Sequence, residues 1–286
     1  MKKLFISTGG FKNLKPTQAI KKLNDHNIFN IELSGGKYEK DIEQKILKID
    51  KKNNIRTHNY FLQPKKNFVI NLASEDKIIV KKSINLIKRN ILLAKKIKSK
   101  HVSFHAGFRF DPTPSSLGKS IQKKVIITEK KALENFKRNL KHLAIFSKKK
   151  GIKILIENNV LSNENFKNFR CNPFLLCSPQ QIRKFFKIKI PNVSFLMDVA
   201  HFKVSCKTLK IDLSNSYKKI IKFINAYHLS DNNGLADTNS KITKNSWFID
   251  NLRKDINYFT LEVYSENFNL LRKQINLVEQ AINDKI

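Results

Sequence analysis

Carboxylates and imidazoles recur in this sequence at one kind of place, the last residues of short apolar runs. "VSFLMDVAH" (193–201) ends on Asp198 and His201, "IRTHNYF" (55–61) carries His58, and "HVSFHAG" (101–107) carries His105. "IKILIENN" (152–159) delivers Glu157, "INAYHLSD" (224–231) His228 and "YFTLEVY" (258–264) Glu262. A buried strand is ordinarily a plain apolar run, and ionisable groups are seldom buried without a partner. Any one such ending has an ordinary explanation. A lone His is a hydrogen-bonded structural group, and an isolated Glu caps the following helix. Six consecutive runs ending this way form a pattern. Carboxylate and imidazole gathered on one rim read as a metal site.

The elements that must position these groups alternate regularly. Two earlier runs, "LFIST" (4–8) and "FNIELS" (29–34), complete eight strand candidates, each rich in Ile, Val, Phe or Tyr. They offer less chemistry: a hydroxyl and loop glycines in "STGG", and Glu32. Helical periodicity separates the strands at 16–26, 75–98, 129–150 and 266–283, with shorter segments near 180–187, 213–222 and 244–254. The residues from 159 to 178 read as an extended loop over the mouth. Eight strands alternating with helices over 286 residues fit a single (β/α)8 TIM barrel, one domain spanning 1–286. In that fold the C-terminal strand ends form the catalytic face. A doubly wound open sheet is the alternative, but no GxGxxG or P-loop follows any strand.

Composition narrows the class further. The net charge of +33 suits a nucleic-acid partner, because phosphates attract clustered Lys and Arg. Lysine far outnumbers arginine, however, and Asn and Ile are abundant. These residues share A/T-rich codons, so biased composition accounts for the balance without a partner. Three cysteines, Cys171, Cys177 and Cys206, form no CxxC pair and suggest reduced thiols. The first residues are too short an apolar stretch for a signal-peptide core, and no run approaches a membrane span. A cytoplasmic protein without membrane contact is the expectation.

The chain resembles the xylose isomerase-like TIM barrels, a group that includes tagatose and psicose 3-epimerases and the endonuclease IV type of apurinic-site endonuclease. The resemblance spans essentially the whole chain and is most specific in "LIENN", "LMDVAH", "YHLSDN" and "TLEVY". It implies a Glu–Asp–His–Glu metal set of Glu157, Asp198, His228 and Glu262. Such an oxygen-rich set suits Mn²⁺, Mg²⁺ or Co²⁺. It further implies a sugar or sugar phosphate isomerase or epimerase working through a metal-stabilised enediolate, with Glu157 and Glu262 removing and returning the proton. His58, His105 and His201 would then contact the substrate.

The endonuclease branch resembles the same rim used differently, with three zinc ions and an abasic-site DNA substrate. Against it, those enzymes carry Asp-x-His after strand seven, whereas this chain reads "ADTNSK", with Asp237 followed by Thr238 and Asn239. A third class, a barrel that binds carbohydrate without turnover, would need no pair of opposed bases.

Overall fold

β-Branched and aromatic side chains pack well on a pleated surface, and the apolar runs become strands. The computed structural model describes residues 2–283. It contains β1 (Leu4–Ser7), β2 (Asn30–Ser34), β3 (Asn54–His58), β4 (His101–His105), β5 (Lys153–Glu157), β6 (Val193–Asp198), β7 (Ile224–Leu229) and β8 (Phe259–Leu261). Neighbours pair in parallel and in chain order, and β1 meets β8 with Leu4 opposite Phe259 and Ile6 opposite Leu261. The ring is therefore closed, a single (β/α)8 TIM barrel, and the open-sheet alternative falls.

The helices are α1 (Pro16–Asn24), α2 (Ile42–Leu47), α3 (Lys77–Lys96), α4 (Glu129–Lys149), α5 (Asn163–Phe169), α6 (Pro179–Phe186), α7 (Val199–Thr208), α8 (Leu213–Ile220) and α9 (Phe268–Asn283). Most of their starts follow from side chains that satisfy the first free backbone N–H groups. Asp76 accepts from Ile78 and Ile79 at the start of α3, Thr128 from Lys131 at α4, and Ser178 forms a capping box with Gln181 before α6.

Three expectations need correction. The stretch 159–178 is not loop throughout, because Ser162 caps α5 by accepting from Asn165 N–H. The stretch 244–254 is no α-helix. It holds a single 3₁₀ turn, Ile249–Asn251, and buries Phe248, Ile249 and Leu252 as packed loop. His201 does not extend strand six, which ends at Asp198. It lies in the first turn of α7, where Asp198 is the cap.

Side chains alternate across a strand, and this parity sorts the barrel interior. In β6, Phe195 and Met197 join the large core beneath the helices, while Leu196 packs with Leu155, Ala226 and Tyr258 around the axis. Two residues further along each strand, on the same axial side, stand Glu157, Asp198 and His228. At the opposite end of the axis the Arg56 guanidinium lies between the rings of Phe5 and Tyr258, 3.4 Å and 3.8 Å from their centroids. Among the described residues no helix is long and apolar enough to cross a membrane.

Candidate metal centre

Glu157, Asp198, His228 and Glu262 are all buried, and one ligand atom from each lies within 4.8 Å of the others. Both carboxylate oxygens of Glu157, Oδ2 of Asp198 and Nδ1 of His228 are buried without a hydrogen-bond partner. Buried polar atoms are almost always partnered. Unpartnered buried atoms on three of the four clustered residues, mostly oxygen, suit a hard or borderline divalent cation. These side chains could hold one.

The protonation pattern agrees with a site that waits for a cation. Burial lifts the Asp198 carboxyl to about 7, with Glu157, Asp237 and Glu262 adding to the lift and His201 opposing it. Burial alone would raise Glu157 as well, but His105, His228 and His58 hold it well below the usual carboxylate range. Burial would lower His228, yet Glu262, Glu32 and Glu157 carry it well above the usual imidazole range. Asp198 and His228 thus hold protons near neutral pH, and a cation must displace them. Metal affinity should rise with pH through 7 and fall below it, by up to about tenfold per pH unit for each proton displaced. Calorimetric titration with Mn²⁺ in buffers of different ionisation enthalpy checks this, with release of at least one proton per ion expected.

Glu32 lies directly behind His228. The sequence placed it inside a strand, between Ile31 and Leu33, and gave it no role; an acid in an otherwise apolar run was the available signal. It is fully buried, with Oε1 2.8 Å from His228 Nε2 and Oε2 accepting from Tyr258 Oη (2.5 Å) and Thr260 Oγ1 (3.0 Å). Burial opposes its charge, but His228, His58 and Tyr258 hold its carboxyl at about 2. Engaging Nε2 turns Nδ1 toward the cluster, 3.4 Å from Glu157 Oε1 and 3.5 Å from Glu262 Oε2. Partners of this kind set the orientation and basicity of a ligating imidazole. Glu32→Gln should weaken Mn²⁺ binding by roughly 10–100-fold while the fold persists, read by the same titration beside a circular dichroism melt.

The three other histidines surround Glu157. His58 Nε2 lies 3.3 Å from Glu157 Oε2, and its Nδ1 pairs with Ser103 Oγ at 3.0 Å. His105 Nδ1 is 3.7 Å from the same carboxylate oxygen. Burial, opposed by Glu157, leaves His105 pulled down to about 4. His58, His105 and Glu157 form a second group that could hold a cation. His201 differs. Its backbone N–H donates to Asp198 Oδ1 (2.7 Å), Nδ1 reaches Asn158 O (3.0 Å), and Nε2 reaches Asp237 Oδ2 (3.1 Å). Burial would lower it, but Asp198 and Asp237 keep it protonated well above the usual range, so both ring nitrogens act as donors.

Asp237 is the other participant that sequence reasoning left out of the site, having marked it only within "ADTNSK". The Asn158 amide bonds both backbone groups of Asp198, and Asn159 ties the loops after β4 and β5 by donating to Ala106, Gly107 and Leu175 carbonyls. A cavity of about 590 Å³ opens beside the cluster, walled by His105, His201, Asp237, Asn159, Phe108 and Phe174 among others. All seven histidines and acids that the sequence singled out meet at this mouth.

The sequence profile of the xylose isomerase-like TIM barrels matches residues 23–281. The chain belongs to that family. No curated protein sequence matches it. Among solved structures, a D-tagatose 3-epimerase-like protein superposes with a TM-score of 0.68 at 21% identity, covering 99% of this chain and 100% of that one. The 3-keto-D-glucoside 4-epimerase of E. coli gives 0.64 at 8% identity, over 98% and 100%. A D-psicose 3-epimerase of Clostridium cellulolyticum H10, solved with D-tagatose, gives 0.62 at 12% identity, over 99% and 100%. At these identities the likeness is one of fold.

Proposed function

We propose that this family member is a divalent-metal-dependent isomerase or epimerase of a sugar or sugar phosphate, working by proton transfer at the carbon beside a carbonyl. The observation that carries the reading is the pair of buried carboxylates, Glu157 and Glu262, 3.4 Å and 3.5 Å from one imidazole nitrogen. The superposition on a 3-keto-D-glucoside 4-epimerase and a D-psicose 3-epimerase supports it. Glu157, Asp198, His228 and Glu262 would hold the ion, with Mn²⁺, Mg²⁺ or Co²⁺ suiting the donors. Once bound, it would polarise the substrate carbonyl and stabilise negative charge developing on its oxygen.

The remaining work belongs to side chains. Glu157, kept ionised by three histidines, is competent to accept the proton, and Glu262 is the counterpart that returns it. His105 and His201 border the cavity and would bond the sugar's oxygens, His201 as a fixed donor held by Asp237. His58, anchored on Ser103, would act from the Glu157 side. The aromatic walls at Phe108 and Phe174 help keep water from the transferring proton. The test is a ketose and ketose phosphate screen in D₂O with Mn²⁺ present. Deuterium should enter the carbon next to the carbonyl, and turnover without any uptake would count against proton transfer.

A second reading has one observation in its favour. His58, His105 and Glu157 form an additional group that could hold a cation, as a multi-zinc phosphodiesterase acting on abasic-site DNA would need. His201 argues against it, since both its ring nitrogens are engaged by Asn158 and Asp237. Zinc content near three equivalents together with cleavage of abasic-site DNA would decide for this reading; one ion and ketose turnover would decide for the first.

A further inference from the structure

The end of the barrel away from the metal centre holds a second cavity, of about 580 Å³. Its walls carry Lys51, Arg56, Lys96, Lys98, Lys100 and His101, and Asp50 is their one carboxylate. Asp50 is already engaged, accepting from Lys52 N–H at 2.9 Å and lying 3.6 Å from Lys52 Nζ. Arg56 is the innermost cation. It is held flat between Phe5 and Tyr258, which fixes its guanidinium plane. Among the described residues it forms no ion pair, and its Nη1 is buried without a hydrogen-bond partner.

Burial works against the charge of Arg56, while Tyr258 and Glu32 favour it. Glu32 commits its oxygens to His228, Tyr258 and Thr260. His101 lies beside Arg56. It stands edge-on to the Tyr258 ring at 5.2 Å, and burial, then Arg56 and Lys153, push it down to about 4. A buried charge is costly unless paired, and a rigid guanidinium presents a fork of donors matched to oxyanions. Stacking alone would account for an arginine closing the barrel end. It would not account for a roomy cavity beyond that arginine, walled by four lysines and His101.

We propose that this cavity binds a small phosphate-class oxyanion, gripped by Arg56 and His101 at its inner end and by the lysines at its rim. The site is separate from the metal centre and independent of the reaction assigned there.

The test uses the full chain, with divalent metal chelated so that the first site offers no competing cation. Inorganic phosphate is titrated by calorimetry, while the His101 ring signals are followed by NMR. One saturable site is expected, with the His101 resonances moving in step. Arg56→Met keeps the stacked stem and removes the fork, and should weaken binding at least tenfold. The rim variant Lys98→Ser/Lys100→Ser touches only exposed side chains and should weaken it several-fold, which keeps the proposal testable if Arg56→Met fails to fold. Unsaturable binding, several equivalents per chain, or affinity unchanged in the rim variant would overturn it. So would unchanged affinity in a folded Arg56→Met. A single-stranded oligonucleotide that binds more tightly than phosphate and loses affinity in the same variants would replace the small anion with nucleic acid.

Discussion

If the proposed proton transfer holds, Glu157→Gln and Glu262→Gln should each lower ketose turnover by about 10²–10⁴-fold, the usual loss when a positioned acid or base is removed. Glutamine keeps the shape and one potential ligand oxygen but removes the charge and the basicity. Because each glutamate also belongs to the cation set, the assay must be run at saturating Mn²⁺, so that weakened binding and lost proton transfer separate. The two variants need not behave alike. Glu157 lies 3.5 Å from His201 and 3.4 Å from His228, the two histidines held protonated, so its neutralisation also leaves imidazolium charge uncompensated and should loosen the fold more than Glu262→Gln does. Full turnover in both variants would end the proton-transfer reading.

Asp198 should show the second large effect, and two substitutions separate its two duties. Oδ1 caps α7 by accepting from His201 N–H at 2.7 Å, while Oδ2 points, unpartnered, into the cluster. Asn caps a helix about as well as Asp, so Asp198→Asn should retain α7 and lose at least about 100-fold in Mn²⁺ affinity, on the scale set by a disrupted metal environment. In metal-free protein it should be at least as stable as the parent, because the native carboxyl is already driven toward its neutral form by burial and by Glu157, Asp237 and Glu262. Asp198→Ala loses the ion and the cap together, the cap alone being worth about 1 kcal/mol. Thermal melts with and without chelator, beside calorimetric Mn²⁺ titration, read both effects. Undiminished Mn²⁺ affinity in Asp198→Asn would remove Asp198 from the ligand set.

The barrel and its rim were legible because their signals are local. Eight apolar runs of strand length mark eight strands, and period-two alternation carries Glu157, Asp198 and His228 to the axial side of their strands. Resemblance then picked four of the seven groups as ligands, and these four form one of the three clusters that could hold a cation. What escaped the reading depends on distance in the chain. Glu32 earns its place only through His228, Tyr258 and Thr260, all roughly two hundred residues away, and no pattern in "NIELS" reports that. Asp237 finds His201 across a loop. The helix α7 was hidden because Asp198 serves strand, cap and cluster at once, so the apolar run seemed to continue through "VAH". The six-residue α2 is too short to show periodicity. The false helix at 244–254 came from apolar residues that pack as loop, at spacings that happen to suit a helix.

The seam between β1 and β8 joins residues some 255 positions apart, Leu4 against Phe259, and it rests on a strand of three residues. Pairing this remote in sequence forms slowly, because loop-closure entropy precedes any gain from contact. Glu262 follows that short strand directly, so the fourth member of the candidate set reaches the cluster only when the seam shuts. A divalent ion would therefore act as a clasp on the ring, binding the shut barrel and not the parted one. At a free concentration one hundred times its dissociation constant it would favour closure by about 2.7 kcal/mol. Metal supply, on this view, governs how long the folded ring lasts as well as whether it reacts.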